Sequence, residues 1–525
     1  MAKGPWPNTR TTAAPMPSQL AQFMSRYYAI ALWATAAMLI GYLILLPPQI
    51  DILQGLAWAD LEAPQGRIPR DLWNFWWSRG FGYKVYFYYA EGLARLVAGD
   101  AIRIRICVFN TLYIALGLAM IGGGIAALAP RRQSDQASGP SWYDHSETLA
   151  LGALLLLPAT TGSWAQDTHL SNLLCFLGVC LALSPDRRPQ WCSGFVLFLL
   201  FSVKGVTALN FLFVVAAVVA VGDNERIRRV LISAAVAGIA MAAAYVTVLH
   251  RELETLLLAN KLALNYQGPH RFAQAALQFA ERNIVVPAAL LWLAVAFYRG
   301  VVAWSGAPRL FGFAVAVWLV PLASILTQGE FVPYHFQGFI LSAWLSLAVV
   351  YLALGRQLQD FSRIRSAPAM TKLVVLFVCC IDLIGIAAPL ISPIRSDYSV
   401  IGFERGLDCR IEVTTKLRAL ILSDYPTIAK TGGVLDLTPF YYGLELPSAS
   451  RFFYPLPLRP QNIAAPEGRE YIARIESYEG PVVITDHYLN ERPEFAPIVR
   501  HLLADYRKTG IPGLCTDIDI WFHPA

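Results

Sequence analysis

Apolar residues run along this chain in long blocks separated by short charged breaks, and the blocks predict membrane-length helices. A spanning helix needs about 20 mostly apolar residues, and about eleven stretches approach that length. They lie near 27–47, 106–129, 148–159, 169–184, 191–204, 206–222, 230–248, 284–298, 310–326, 338–355 and 373–393. Runs 148–159 and 169–184 are short and are separated by TTGSWAQDT, while 191–204 and 206–222 meet at Lys204. The first 26 residues are polar and contain prolines. They lack the short apolar stretch and small-residue cleavage site of a secretory signal. The run from Tyr27 to Leu46 is therefore expected to be retained as a helix.

From Ile394 the pattern changes. Strand-like runs such as GGVLDLTPFYYGL and GPVVITDHYL alternate with helix-like ones such as CRIEVTTKLRALILSDY and EFAPIVRHLLADYR. That alternation predicts a small α/β unit. The expected fold is thus an all-α polytopic membrane bundle of about eleven transmembrane helices over 1–393, with a long first outer loop at 51–105. A small soluble α/β domain over 394–525, on the extracytoplasmic side, is expected to follow it.

Composition agrees with a bilayer environment. Hydrophobic residues make up 56% of the 525 and charged residues 15%, against roughly 25% charged in a soluble domain. The net charge of +6 is spread through loops and forms no patch that would point to nucleic acid. Cys175, Cys180, Cys192, Cys379 and Cys380 lie in apolar runs, where cysteine behaves as a small hydrophobe. Cys409 and Cys515 pair only if their region faces an oxidising compartment.

Charge also orients the chain. With the N-terminus in the cytoplasm, Lys3, Arg10 and Arg26 lie inside. So do Arg131-Arg132, Arg187-Arg188, Arg226/Arg228/Arg229, Arg299/Arg309 and Arg356/Arg363/Arg365/Lys372, as the positive-inside bias requires. The outer segments 160–168 and 327–337 carry no basic residue, whereas the longer outer loops 51–105 and 249–283 do. An odd number of spans leaves the C-terminal region outside.

Three polar features are candidates for chemistry. Asp51 stands three residues beyond Pro47-Pro48 at the outer exit of the first span. An acid at that depth can deprotonate an acceptor hydroxyl and still meet a lipid-borne donor. The loop it opens holds Asp60, Glu62, Arg67, Arg70, Asp71, Arg79, Lys84 and Glu91 among many aromatic residues, a pattern equally that of an amphipathic interfacial helix. Trp164 to His169 places Asp167 and His169 between two short spans: either a polar pocket lining the bundle or an ordinary turn with a hydrogen-bonded histidine. Asp51 and Asp167 would share a divalent cation (Mg2+ or Mn2+) or flank the acceptor if the loops meet, although two carboxylates do not by themselves make a metal site. Glu330, Tyr334 and His335 lie in QGEFVPYHFQ on the same outer side, suited to a leaving-group phosphate or a sugar. Lys84, Arg79 and Lys204 are the cations best placed for a phosphate, unless Lys204 snorkels to the interface. Asp382 in the last span is either functional or a helix–helix hydrogen-bonding group. There is no HExxH, GxSxG, Walker A or GxGxxG motif, signatures of metalloproteases, serine hydrolases, P-loop NTPases and dinucleotide enzymes.

The layout resembles the GT-C superfamily, membrane glycosyltransferases that use polyprenyl- or dolichyl-phosphate-linked sugars, such as protein O-mannosyltransferases and the aminoarabinose transferase of lipid A. The resemblance is carried by Asp51 after the first span, the aromatic stretch from Tyr83-Lys84 to Gly99, Asp167 in the second outer loop, and Tyr334-His335 at a late span. It departs where Val85-Tyr86 replace the prolines that often follow the lysine, and where Asp51 lacks an acidic neighbour. The resemblance implies Asp51 as general base or metal ligand, Asp167 assisting it, and Lys84, Arg79 and His335 on the lipid phosphate. It also implies a polyprenyl-phosphate sugar donor, a glycan, lipid or protein acceptor, and inversion at the sugar carbon. The rival class is a secondary transporter or flippase, which shares the spans and the intramembrane polar groups. No internal repeat of the kind transporters show is present. A polymerase or ligase of another membrane fold and an inactive assembly subunit are further alternatives.

Overall fold

The structure is a computed structural model of the chain. It describes chiefly residues 18–46, 80–128, 142–157, 164–250, 252–254, 272–283, 285–291, 308–328, 333–347, 414–419, 462–478, 482–486, 503–509 and 518–523, with a few scattered positions between them. This part is predominantly helical. Three of its helices are long and apolar enough to cross a membrane: Tyr27–Leu45, Ile102–Leu128 and Asn224–Thr247.

The expectation of about eleven spans is corrected by that number. The apolar blocks are real, but many are cut into helices too short to cross. Asp167–Leu183 and Gly205–Val221 are shorter apolar helices, as is Glu147–Leu156. At 1.5 Å per residue a 17-residue helix reaches only about 26 Å, against a hydrocarbon core of about 30 Å. The expected span at 373–393 lies outside the described residues except for Cys380.

In chain order the helices are α1 (Ser18–Leu45), α2 (Phe81–Ala98), α3 (Ile102–Leu128), α4 (Trp142–Leu156) and α5 (Asp167–Leu183). They continue with α6 (Arg187–Cys192), α7 (Phe195–Val203), a 3-10 segment Gly205–Phe211, α8 (Leu212–Val221) and α9 (Asn224–Thr247). Then come α10 (Phe272–Arg282), α11 (Pro308–Gln328) and a second 3-10 segment, Pro333–Gln337. The main core buries Leu32, Leu39 and Leu43 of α1, Phe87 of α2, Phe109 and Tyr113 of α3, Leu173 of α5, and Val214 and Val218 of α8, and a second core packs Ala275 and Phe279 of α10 with Phe336 of the second 3-10 segment.

Sequence chemistry explains the joints. α2 stops at Gly99, whose positive φ of 54° with ψ −127° is open cheaply only to glycine and whose backbone N–H donates to the Arg95 carbonyl at 2.8 Å. α3 starts three residues later, and Arg105 closes the turn by binding Glu91, with Nε 2.7 Å from Oε1. Both charges are buried, so each neutralises the other's desolvation cost. α11 carries Pro321 inside the helix, where the missing N–H frees the carbonyl four residues earlier. That carbonyl, of Val317, accepts a hydrogen bond from Ser342 Oγ at 2.6 Å.

Residues 187–221 form a helical hairpin with Lys204 at its tip. Ser193 and Gly194 keep helical dihedral angles, so α6 and α7 run nearly in line, while Lys204 is extended at φ −162°, ψ 134°. The returning arm ends at Gly222, under the Arg309 guanidinium of α11. At Gly194 a Cβ would overlap the Ser233–Ala234 backbone of α9, so the hairpin packs backbone against backbone there. Gly194→Ala is expected to destabilise the protein by about 1–3 kcal/mol through overpacking, measured as a lower unfolding midpoint in detergent.

The second correction concerns residues 394–525. The described residues there include one eleven-residue helix, α12 (Pro466–Glu476), and strands of two to five residues: β1 (Leu435–Asp436), β2 (Val482–Asp486), β3 (Arg507–Thr509) and β4 (Ile518–Phe522). The strands pair in the order β1-β2-β4-β3, β1 parallel to β2 and the other pairs antiparallel. A few short strands beside one helix do not make the independent soluble α/β domain expected. Among the described residues, the buried apolar side chains of this region are few, chiefly Leu417, Tyr471, Ile475, Tyr478 and Tyr506. Cys409 and Cys515 lie outside the described residues.

Candidate functional site

Polar side chains gather at one end of the helices, where α2 and α5 begin, the hairpin turns and α11 stops. Asp167 is the first residue of α5 and is fully buried. The helix N-terminus favours its negative charge, and its second partner comes from the hairpin tip, with Lys204 Nζ 3.1 Å from Oδ2. Lys204 also donates to Gln328 Oε1 at 2.9 Å. An apolar helix broken at a lysine, with that lysine aimed at a buried carboxylate, is the central feature of the site. Lys204 does not snorkel; it is 16% exposed and turned inward.

The turn before Asp167 is held in an unusual backbone shape. Ala165 has φ 57°, a left-handed conformation costing roughly 1–2 kcal/mol for a residue with a Cβ. Its carbonyl accepts a hydrogen bond from the Tyr83 hydroxyl of α2. Trp164 Nε1 donates to Asn110 Oδ1 at 3.0 Å, and Asn110 Nδ2 donates to the Leu46 carbonyl at 2.8 Å. The turn is therefore tied to α1, α2 and α3 at once. Strain maintained by several independent contacts is a common property of functional sites.

His169 is committed. Its Nε2 lies 3.0 Å from the Leu156 carbonyl and its Nδ1 2.9 Å from the Tyr113 hydroxyl. A carbonyl can only accept, so Nε2 carries the proton, and in the neutral ring Nδ1 accepts from tyrosine. Trp164 and Tyr113 stack around it, which makes His169 a buried spacer rather than a group reaching into a cavity.

Lys84 is one residue along α2 from Tyr83 and points elsewhere. Its Nζ lies 2.8 and 3.1 Å from the two carboxylate oxygens of Glu252, with 0% and 3% exposure for the two side chains. Burial pulls the Lys84 ammonium below the ordinary lysine range and lifts the Glu252 carboxyl above the ordinary carboxylate range, while their mutual attraction opposes both shifts. α2 is brought to this end by close backbone contact. Gly80 N–H donates to the Val203 carbonyl at 2.7 Å, and a Cβ on Gly80 would overlap the Ser202 carbonyl.

His335 sits in the 3-10 segment Pro333–Gln337 and is buried. The segment is held against α5 by Asn172 Nδ2, which donates to the Gln337 carbonyl at 2.9 Å. Tyr334 belongs to the same segment by its backbone, its side chain lying outside the described residues. Asp51, Arg79, Glu330 and Asp382 also lie outside them. Tyr83, Lys84, Asp167, His169 and His335 all belong to elements that meet at this end. Among the described residues no group of three or more His, Cys, Asp or Glu side chains is placed to hold a metal ion.

Glu252 and Gln328 are the partners that sequence reading missed. Glu252 sits in the outer loop 249–283, whose basic residues alone attracted notice. Gln328 opens a run in which the acid and the histidine stood out. A buried lysine needs a counter-charge, and that requirement was the available signal for Glu252.

Comparison with protein-family models finds no match to this chain, and no curated protein matches it in sequence.

Proposed function

We propose that this membrane protein transfers a sugar from a polyprenyl-phosphate-linked donor to an extracytoplasmic glycan, lipid or protein acceptor. The buried Asp167–Lys204 pair at the hairpin tip is the observation that supports this reading. Transfer from a lipid phosphate needs a cation for the leaving group and a carboxylate for the attacking hydroxyl, and the pair brings one of each together in a water-poor setting. The acceptor oxygen attacks the anomeric carbon, the bond from that carbon to the phosphate oxygen breaks, and the hydroxyl proton passes to a carboxylate. Polyprenyl phosphate leaves, held by Lys204 with Arg79 and His335, while Lys84 stays with Glu252. Asp51 remains the first candidate for the base, with Asp167 assisting; Tyr334 and Glu330 frame the sugar, while Tyr83 and His169 brace the turn around Asp167. A divalent cation would be held by Asp51 and Asp167.

The same reading makes the chain multi-pass with a cytoplasmic N-terminus and the polar end outside, because Arg187, Arg188, Arg226, Arg228, Arg229 and Arg309 gather at the opposite end. An extracytoplasmic side for residues 394–525 follows from an odd number of spans, and the three candidate spans among the described residues are also odd in number.

A second reading, a transporter or flippase for a lipid-linked or glycan substrate, is favoured by the interrupted apolar helices around a buried charge pair. One experiment separates the two. The purified protein in liposomes is given radiolabelled polyprenyl-phosphate sugar and acceptor glycan. A transferase yields labelled acceptor and free polyprenyl phosphate, and Asp51→Asn or Asp167→Asn lowers that yield at least a hundredfold. Movement of intact donor across the bilayer without a new glycosidic bond would instead establish the transporter.

A further inference from the structure

We propose that the arginine-rich end of the bundle, centred on Arg187 and Arg188, docks the headgroup of an anionic membrane lipid. This surface lies at the far end from Asp167 and goes beyond the transfer reaction.

Six arginines share that end. Arg226 Nη1 donates to the Leu183 carbonyl at 3.3 Å, which sets the start of α9 beside the end of α5. Arg229 Nη1 donates to Gln190 Oε1 at 2.5 Å, tying α9 to α6. Arg309 covers Gly222 at the end of α8.

Their charges are not equally satisfied. Arg226 lies 3.6 Å from Asp223, Arg228 3.9 Å from Glu225 and Arg229 3.8 Å from Glu225. The α9 arginines are therefore engaged within their own helix. Arg187, Arg188 and Arg309 make no ion pair among the described residues, and all three are exposed. Asp186, beside Arg187, Asp223 and Glu225 flank these arginines, and Glu147 near the start of α4 lies toward the same end. Six arginines against four carboxylates leave a net charge of +2.

The neighbouring apolar surface places these charges at a bilayer boundary. Trp191 is 43% exposed and Phe195 53% exposed, one and two turns further along the same helical line. Tryptophan prefers the headgroup level, so Arg187 and Arg188 sit where lipid phosphates lie. A guanidinium fork binds a phosphate through two parallel hydrogen bonds. The adjacent pair supplies two such forks, Arg309 adds long-range attraction, and Trp191 and Phe195 pack against the glycerol and upper acyl chain. A soluble phosphate would satisfy the arginines and leave the aromatic side chains without a partner, which favours a lipid as occupant.

The test uses the full chain in nanodiscs of phosphatidylcholine containing a minor fraction of phosphatidylglycerol, with retained lipid counted by native mass spectrometry. Phosphatidylglycerol is expected to be retained in preference to phosphatidylcholine. Arg187→Gln with Arg188→Gln is expected to weaken that preference about thirtyfold, the effect of two basic residues at a membrane surface. Arg228→Gln, removing an arginine already paired with Glu225, should change it less than threefold. Equal retention of the two lipids by the unaltered protein would overturn the proposal, a result that needs no variant to fold. So would a loss in the Arg228→Gln control as large as in the double variant, or displacement of the lipid by free glycerol phosphate at equal concentration.

Discussion

Asp167→Ala is expected to destabilise the bundle by about 3–5 kcal/mol, because it leaves the Lys204 ammonium turned inward with no carboxylate to meet it. The pair is well placed to show this cost. Asp167 is fully buried, Lys204 is 16% exposed, and their charged atoms are 3.1 Å apart. Water cannot readily replace the lost carboxylate, and Gln328 Oε1, 2.9 Å from Nζ, offers only a neutral dipole. Removing both charges removes the burial cost together with the attraction. Asp167→Ala combined with Lys204→Met should therefore recover most of the lost stability, as replacements of whole buried pairs do. Thermal unfolding in detergent measures the three variants. An additive double variant, as unstable as the sum of the singles, would show that the two charges do not interact in the folded protein. Sugar transfer should behave differently: the double variant regains the fold and not the reaction, since both charges belong to the proposed chemistry.

Glu252→Leu is expected to cost a similar amount, about 3–5 kcal/mol, through a different route. Lys84 is fully buried and both oxygens of Glu252 face its ammonium, at 2.8 and 3.1 Å. Deleting the carboxylate leaves a lysine with two ways out: losing its proton, or dragging the start of α2 toward water. The second would pull Gly80 from the Val203 carbonyl and Tyr83 from the Ala165 carbonyl, loosening the strained turn before Asp167. Lys84→Met with Glu252→Leu is expected to stay within about 1.5 kcal/mol of the unaltered protein. Hydrogen exchange over residues 164–169 reads the coupling. Faster exchange in Glu252→Leu and normal exchange in the double variant are the expected results, and unchanged exchange in both would dissociate the Lys84 pair from the turn.

Much of the site was legible as residue types and little of it as partners. Asp167, Lys84, Tyr83 and His335 drew notice because a polar group among apolar runs is expensive, and that cost is visible in one dimension. Pairing is not. Lys84 and Asp167 both look available in sequence, yet Lys84 is turned to Glu252, 168 positions away, and Asp167 to Lys204. In sequence His169 fits either a polar pocket or a turn with a hydrogen-bonded histidine, and its ring nitrogens, occupied by Leu156 and Tyr113, decide for the second. The helix count failed for a related reason. Hydropathy measures how apolar a segment is and not how long its helix is: the run 169–184 folds into α5, whose 17 residues fall short of the hydrocarbon thickness.

The sequence by itself determined that apolar blocks approaching membrane length dominate this chain and which rare polar residues would have to be accommodated among them. These follow from composition and spacing, which sum local transfer energies and need no knowledge of neighbours. The tertiary structure alone decided which helices are long enough to cross and which carboxylate each buried cation meets. Those outcomes depend on contacts between residues far apart in the chain, where burial makes a charge depend on the one partner within about 3 Å rather than on its neighbours in sequence.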